Sequence, residues 1–564
     1  VCQIWHCGQH TDGQVIHDDW RPVWAPSPVP CVLSREIPHE MEVEEVQEVI
    51  QGFAQTAHNI QEGGVDGVEL HGGHSYGIGQ FLSPFSNKRT DQYGGSLENR
   101  MRFVMEIIDA IRKKCGSDFV MGIRISGDEF VPGGLNQDEM KEVACRLEAE
   151  GKLDYISVSG GTYHSLFIPV PGMAIPLGSL VYLAAGIKEA VQSIPIFTVA
   201  RINDPVQAEQ ILSDGHADMI GMTRANLCDP ELASKAREGR LEDIRTCMAC
   251  NEGCIQRLFA QRPATCVQNP SAGREEKLGI GTIKTASKKK KVVVVGGGPA
   301  GMEAARIATL RGHEVTLYEK EQELGGQVLL AAKLPTRNEL GSSARYLSLQ
   351  MGSLGVNTNL GMEATIETIQ QENPDTVVVA TGSVPLKTGF SVARPDLPGI
   401  PGVEQDNVTT VYNVIQGTAS IGQRVLLIDD DGHHRAVGTG ELMADMGKQV
   451  EIVTRLPFVG MDIAMTDLSL LYQRILEKGI TLIPFTAVKE ISGNQAIVYN
   501  VYSQQERTIE GIDTVVLAMG NQACNELYRS LKGKVQELYS VGDCVAPRRI
   551  AMAIYEGHKV GRAI

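Results

Sequence analysis

The sequence predicts an α/β protein: a (β/α)8 TIM barrel followed by a Rossmann-like dinucleotide-binding domain that carries a second nucleotide-binding-like domain as an insert. Three observations predict it. Residues 1–243 repeat a short apolar run and an amphipathic stretch, and no G-x-G-x-x-G follows any of these runs. Residues 292–320 read as strand, Gly296-x-Gly298-x-x-Gly301, helix and second strand. Between the two halves stands an isolated array of cysteines. Repeated βα units build a parallel sheet clad in helices, and without a glycine fingerprint a barrel is favoured over a Rossmann sheet.

The bulk numbers agree with several domains. A chain of 564 residues exceeds one core. Its net charge of −16 argues against nucleic acid or an anionic membrane surface as partner. No apolar run approaches the roughly 20 residues that span a bilayer, and no signal peptide is evident. Four of the 12 cysteines fall in the array and the rest are scattered singly, which is no disulfide framework and fits a reducing cytoplasm.

In the first half, strand-like runs occupy 1–5, 67–70, 119–125, 155–158, 196–199 and 219–222, and helices are expected over 43–62, 97–114, 137–150, 180–192 and 204–213. Six strands fall two short of closure. Val1 is not a methionine and VCQIWH reads as a strand already under way, so two further strands are expected ahead of it. Chemistry in such barrels sits past the C-terminal strand ends. His6 follows the first run. After the second comes HGGHSYGIGQFLSPFSNKRTDQYGGSLENR, residues 71–100, with His71, His74 and Tyr76 as candidate catalytic groups. Two imidazoles at i and i+3 and a phenol at i+5 in a strand-end loop read as functional rather than structural groups. Asn87, Arg89, Asp91, Ser96 and Glu98 read as loop-fixing and helix-capping residues. Arg124 lies in the third run. SGGTYHS follows the fourth, with His164 a candidate and Tyr163 assigned to packing. Arg201 and the pair Thr223, Arg224 follow the last two runs, where basic side chains suit a phosphate.

The array is Cys247, Cys250, Cys254 and Cys266, spaced C-x2-C-x3-C-x11-C. Four thiolates at this spacing suit a 4Fe-4S cluster. Zinc is the rival, although its sites usually show two paired knuckles. Unliganded thiols are the third reading. Residues 267–291 carry no periodicity and end in four lysines, a pattern expected of a solvated linker.

In the second half, Gly296, Gly298 and Gly301 permit the tight turn and the approach of a pyrophosphate to a helix N-terminus, and Glu319 closes the second strand where a ribose-binding acid belongs. Gly325, Gly326 and Gln327, the turn Ala380, Thr381, Gly382, and Asp543 in LYSVGDCVAP point to FAD; the last resembles the flavin-disulfide-reductase pattern. ADP in place of FAD would use the same fingerprint. The insert, 385–510, has a strand–helix–strand of its own, but Asp429, Asp430 and Asp431 stand where glycines would follow the strand. Carboxylates there satisfy the helix themselves and repel a pyrophosphate, so NAD(P)H binding is left open. The expected domains are 1–243, 244–291 for the cysteine loop and linker, 292–384, the insert 385–510, and 511–564 completing the FAD-type domain.

At these residues a resemblance emerges. The first half resembles the old yellow enzyme family of FMN barrels, on the long signature HGGHSYGIGQFLSP with N-x-R-T-D-x-YGGS-x-ENR. The whole order resembles the iron–sulfur flavoproteins that include 2,4-dienoyl-CoA reductase and trimethylamine dehydrogenase. The resemblance implies that Gln3 meets the flavin pyrimidine edge and that Arg124 sits by flavin N1 and O2. It implies that Arg201, Thr223 and Arg224 hold the FMN phosphate, that His71 and His74 bind the substrate's polar group, and that Tyr76 donates the proton. His164 matches a substrate-side histidine.

Two directions of electron flow follow. In one, electrons enter at FAD, cross the cluster and reduce an activated C=C at FMN. In the other, an amine is oxidised and electrons leave to an external electron-transfer protein. His71 stands where the amine enzymes have tyrosine, and Leu258 where trimethylamine dehydrogenase has the tryptophan of its cation cage, which favours the first direction. The aspartates of the insert favour the second. A small-molecule substrate is expected in both, and a homo-oligomer is left open.

Overall fold

The computed structural model describes residues 1–11 and 21–564. They form two compact units. The first comprises Val1–Pro171 and Ile175–Thr223, the second Gly172–Ala174 and Arg224–Ile564.

The first unit carries six parallel strands, Cys2–Ile4, Gly67–Gly72, Val120–Ser126, Tyr155–Ser159, Ile196–Thr198 and Met219–Ile220, each paired with the next in sequence. Helices Val43–Glu62, Leu97–Cys115, Gln137–Ala149, Val181–Ala190 and Pro205–Ser213 connect them. All six expected strands and all five expected helices are present, as consecutive staves of a TIM-type wall. Strand alternation sets what each face does. Val68, Leu70, Met121, Ile123, Ile156 and Val158 are fully buried and join the helices in one core. Each such side chain contributes about 1.5–3 kcal/mol of burial. The alternate residues form a polar face: Gln3 pairs with Glu69, His71 with Arg124, and Arg124 with Ser157 across successive strands.

Helix starts follow local chemistry. Glu45 Oε2 accepts from the Glu42 N–H in a capping box ahead of Val43–Glu62. Ser96 caps Leu97–Cys115 through the Asn99 N–H. Arg89 pairs with Asp91, and Asn87 Nδ2 donates to the carbonyls of Phe81 and Tyr93 at 2.7 and 2.8 Å. These residues fix the long loop, as expected.

The second unit holds a five-stranded parallel sheet in the order Asn357–Asn359, Glu314–Tyr318, Lys291–Val295, Thr376–Val379, Glu537–Ser540. The first strand in sequence lies at the centre, so the order in which strands are added reverses beside it, and such switch points are where nucleotides bind. A second parallel sheet comprises Val408–Thr410, Thr514–Ala518, Arg424–Asp429, Gln449–Thr454 and Thr481–Ile483. An antiparallel meander, Thr486–Ser492, Gln495–Asn500 and Glu506–Glu510, accompanies it.

Two expectations change. The insert does not end at 510: Thr514–Ala518 lies between Val408–Thr410 and Arg424–Asp429 in the insert's own sheet. A short apolar run does not state which of two parallel sheets it joins. Nor is 267–291 a plain solvated linker. Val267, Gln268 and Asn269 are buried, Lys290 Nζ meets Glu537 at 2.7 Å and Lys291 Nζ meets Glu372 at 2.7 Å. Lys291 opens the central strand and Lys290 precedes it, and both are pinned by acids of neighbouring elements. No helix among the described residues is long and apolar enough to cross a membrane.

Candidate active site and redox centres

In the first unit the polar strand face leads up to the loop 71–100. Gln3 Nε2 donates to Glu69 Oε1 at 2.6 Å, and Arg124 Nε donates to Ser157 Oγ at 3.2 Å while lying 3.6 Å from Glu69 Oε1. His71 ends its strand in register with Arg124. His74 and Ser75 both adopt left-handed backbone, φ 56° and 61°. The Ser126 hydroxyl stabilises this turn by accepting from the His74 N–H at 2.9 Å. Two non-glycine residues in this region mark a constrained segment.

The turn brings three rings together. The rings of His71 and His74 meet edge-on at 5.0 Å, and that of His71 lies 4.8 Å from the ring of Tyr76. His74 Nε2 hydrogen-bonds Ser159 Oγ at 2.7 Å. Burial, then the charge of Arg124, lowers the His71 pKa to about 3. His74 is held well below the usual histidine value by burial, His71 and Arg124. Both imidazoles are therefore neutral hydrogen-bonding groups at neutral pH. Among the described residues His71 Nδ1, which is buried, has no hydrogen-bond partner. Burial raises the Tyr76 pKa, so its phenol keeps its proton.

Tyr163 does more than pack. Its hydroxyl lies 2.9 Å from that of Tyr76, and its ring stacks on His10 at 3.8 Å and 7°. Sequence gives little sign of this, because a tyrosine beside a histidine in a strand-end loop has no fixed partner until the loop is folded. Ser126 and Ser159 were missed too, although each closes a strand and could have been sought there. His164 lies edge-on to Phe85 at 4.9 Å and acts electrostatically on His10.

The expected phosphate ligands fall into both units. Arg201 takes left-handed backbone, φ 49°, and donates to the Ile175 carbonyl in the first unit. Thr223 begins the helix Thr223–Cys228. Arg224 belongs to the second unit, where its guanidinium donates to Asn251 Oδ1 at 2.7 Å. Asn251 lies inside the cysteine loop.

That loop is curled by left-handed residues at Ala249 and Asn251. Gly253 brings the distant fourth cysteine to it: a Cβ at 253 would lie 3.1 Å from the Cys266 backbone, and the Thr265 N–H donates to the Gly253 carbonyl at 2.7 Å. Burial raises the pKa of Cys247 to about 11 and raises those of Cys250 and Cys254, with the neighbouring cysteines adding to it. Cys266 moves the other way, to about 7, through a hydrogen bond with Cys228. Among the described residues no group of three or more His, Cys, Asp or Glu is arranged to hold a metal ion, so the case for a cluster rests on the spacing of the four cysteines.

The dinucleotide cradle is assembled from five separate segments. Gly296 has φ 110°, and a Cβ there would stand 2.3 Å from the Ala380 carbonyl. A Cβ at Gly301 would stand 2.0 Å from the Gly296 carbonyl, whereas at Gly298 it would meet nothing within 4 Å. Gly298 thus opens free space at the start of the helix Pro299–Leu310, as a cradle for a pyrophosphate requires. Glu319 Oε2 accepts from the Gly297 N–H at 2.6 Å. Gly326, φ 56°, lies over Gly298. Gln327 Nε2 donates to Ser383 Oγ at 2.9 Å, which in turn donates to Asp543 Oδ2 at 3.0 Å.

The insert's corresponding turn differs. Asp429 Oδ1 accepts from the N–H groups of Asp431 and Gly432 at 3.0 and 2.8 Å. Asp430 pairs with Arg455. Asp431 pairs with Arg435 at 2.6 Å, and Arg435 also donates to Asn521 Oδ1 at 2.8 Å. The turn's own carboxylates thus take up donors that a phosphate would use.

Residues 1–243 match the NADH:flavin oxidoreductase / NADH oxidase family, and residues 290–557 match the pyridine nucleotide-disulphide oxidoreductase family. The chain is 35% identical over 591 residues to a metal reductase of Desulforamulus reducens, covering 99% of this chain and 85% of that protein. It belongs to the NADH:flavin oxidoreductase / NADH oxidase family. Family membership makes it a flavin oxidoreductase with an FMN-type barrel and an FAD-type second domain. It is also 36% identical to an N,N-dimethylglycine/sarcosine dehydrogenase of Chromohalobacter salexigens over 601 residues, covering 99% of this chain and 85% of that one. The solved structure of a 2-naphthoyl-CoA reductase with 2-naphthoyl-CoA superposes with a TM-score of 0.89 at 32% identity, covering 100% of this chain and 84% of that one.

Proposed function

We propose that this enzyme reduces an activated C=C bond, of the enone or enoyl-thioester kind, with electrons delivered through a 4Fe-4S cluster from a flavin in the second unit. The observation that carries the reading is the grouping of His71, His74 and Tyr76. Two neutral imidazoles beside a protonated phenol suit a substrate whose carbonyl must be polarised and whose adjacent carbon must be protonated. Bound FMN would supply hydride to the electron-poor carbon, and the cluster and second flavin would supply its electrons.

The rest of the work falls to side chains. His71, whose buried Nδ1 has no partner among the described residues, would hydrogen-bond the substrate carbonyl together with His74. A buried polar nitrogen left unsatisfied is stabilised by such a ligand. Tyr76 would give its proton to the α-carbon. Arg124 and Gln3 would hold the flavin's pyrimidine edge, and Arg201, Thr223 and Arg224 its phosphate. His164 would line the substrate side. Cys247, Cys250, Cys254 and Cys266 would ligate the cluster. Gly296, Gly298, Gly301, Glu319, Gly326, Gln327 and Asp543 would hold FAD, or ADP in its place.

Similarity to a reductase that takes an aryl-CoA thioester supports the reading. A second reading, oxidation of an N-methylated amine with electrons leaving to a carrier protein, is favoured by the Asp429–Asp431 turn and by similarity to the dimethylglycine/sarcosine dehydrogenase. The test is anaerobic. The first reading expects NADH or NADPH to bleach the flavins and an enone to restore their absorbance. Bleaching by N-methylated amines alone would overturn it.

A further inference from the structure

The hydroxyl of Tyr76 already has a partner, and that partner gives the phenol a direction. Tyr163 Oη lies 2.9 Å from Tyr76 Oη. The Tyr163 ring is fixed by its face-to-face stack on His10 at 3.8 Å, and the two tyrosine rings meet edge-on at 5.7 Å. The segment carrying Tyr163 is a tight turn: the Thr162 N–H donates to Ser165 Oγ at 2.8 Å and the His164 N–H to Thr162 Oγ1 at 3.2 Å. His10 in turn contacts Cys31 Sγ through Nδ1 at 3.3 Å. The Tyr163 hydroxyl is therefore placed by packing on one side and by its turn on the other.

Each phenol has one proton and can accept as well. Only one of the two protons can lie in the bond between them. If Tyr76 used its proton there, it would have none for a substrate.

We propose that Tyr163 is the positioning residue of the proton donor: its hydroxyl donates to Tyr76 Oη, which leaves the Tyr76 proton aimed at the substrate carbon and stabilises the phenolate that remains once that proton is given. The inference rests on the reading of Tyr76 as proton donor. The step balances simply. The Tyr76 O–H bond breaks, a C–H bond forms at the α-carbon that has become electron-rich on hydride addition, and the negative charge left on Tyr76 Oη accepts the Tyr163 O–H. Hydrogen bonds to a charged acceptor are the strong ones, so the phenolate gains more from Tyr163 than the phenol does. Among the described residues, the titratable groups facing the pair include His10, His71, Cys7 and Cys31. Both histidines are held neutral at neutral pH.

The test compares Tyr163→Phe, Tyr76→Phe and the double variant in the holoenzyme. Each is reduced anaerobically and mixed with 2-cyclohexen-1-one as the probe, and flavin reoxidation is followed against pH. Phenylalanine at 163 keeps the ring on His10 and removes only the hydroxyl. Tyr163→Phe should slow reoxidation by roughly ten- to a hundredfold, the worth of a hydrogen bond to a charged group. The apparent probe affinity should stay near wild type and the alkaline limb should move to higher pH. The double variant should be no slower than Tyr76→Phe. Wild-type rate and pH profile in Tyr163→Phe, beside a slowed Tyr76→Phe, would overturn the inference and leave the proton-donor reading standing. Wild-type rate in Tyr76→Phe would overturn that reading, and the inference with it. A second readout needs no turnover: ultraviolet titration of tyrosinate should show the Tyr76 ionisation moving up in pH in Tyr163→Phe. An unmoved titration also overturns the inference.

Discussion

The glycine fingerprint separates two tasks that sequence alone merges, folding and ligand approach. Gly298 and Gly301 belong to one motif, yet an added Cβ meets open space at the first and the Gly296 carbonyl at 2.0 Å at the second. Gly298 has φ −75° and ψ 176°, a conformation alanine adopts freely. Gly298→Ala should therefore leave the apoprotein as stable as wild type or raise stability by about 0.4–1 kcal/mol through the unfolded chain. Its methyl group would stand where a pyrophosphate must approach the backbone. Losing one charge-assisted N–H contact costs about 1.5–3 kcal/mol, so FAD should bind roughly ten- to a hundredfold more weakly. Gly301→Ala differs. The helix Pro299–Leu310 is buried from Ala300 to Ala308 and cannot slide to relieve the clash. Overpacking of this kind costs about 1–3 kcal/mol or more. Urea unfolding of the apoprotein measures the first quantity, and flavin fluorescence titration the second. Equal effects on stability in both variants, or wild-type FAD affinity in Gly298→Ala, would refute the division of labour.

Other consequences can be checked in the same preparations. Burial raises the Asp429 pKa to about 7. The folded chain then binds a proton between about pH 4 and 7 that the unfolded chain has released, so this group's contribution favours folding at acid pH and is lost as pH rises through about 7. Asp429→Asn keeps an acceptor for Asp431 and Gly432, and should stabilise the protein by about 1–3 kcal/mol at pH 8 while changing little at pH 4; equal urea midpoints at pH 8 would count against it. Cys250→Ala should lose most bound iron and sulfide and interrupt electron exchange between the flavins, measured by iron analysis and stopped-flow absorbance, whereas wild-type iron content would remove Cys250 from the ligand set. Ser159→Ala deletes the His74 partner and should weaken substrate binding by about 0.5–1.5 kcal/mol with little change in kcat.

Much of this was legible beforehand because it rests on periodicity and on glycine. Alternation in the runs at 67–72 and 120–126 separates an apolar face, Val68, Leu70, Ile123, from a polar one, Glu69, His71, Arg124. The glycines at 296 and 301 are required by backbone contacts that no other residue permits. What stayed hidden depends on long-range pairing. Tyr163 reaches Tyr76 across 87 positions, and Thr514–Ala518 chooses the insert's sheet over the neighbouring one. Lys290 and Lys291 look solvated in a run of lysines until Glu537 and Glu372 arrive from distant elements. Arg224, expected at a phosphate, is engaged by Asn251 of the cysteine loop, a contact with no signature in spacing.

The direction of electron flow is the central claim, and one anaerobic experiment addresses it. Protein reduced to its fully bleached state is mixed with 2-cyclohexen-1-one, and oxidised protein from the same batch is mixed with an N-methylated amine. The account predicts that the enone restores flavin absorbance, with Tyr76→Phe slowed by roughly 10²–10⁴-fold as expected for loss of a general acid, and that the amine does nothing. Bleaching by the amine, with the reduced protein inert to the enone, would contradict it.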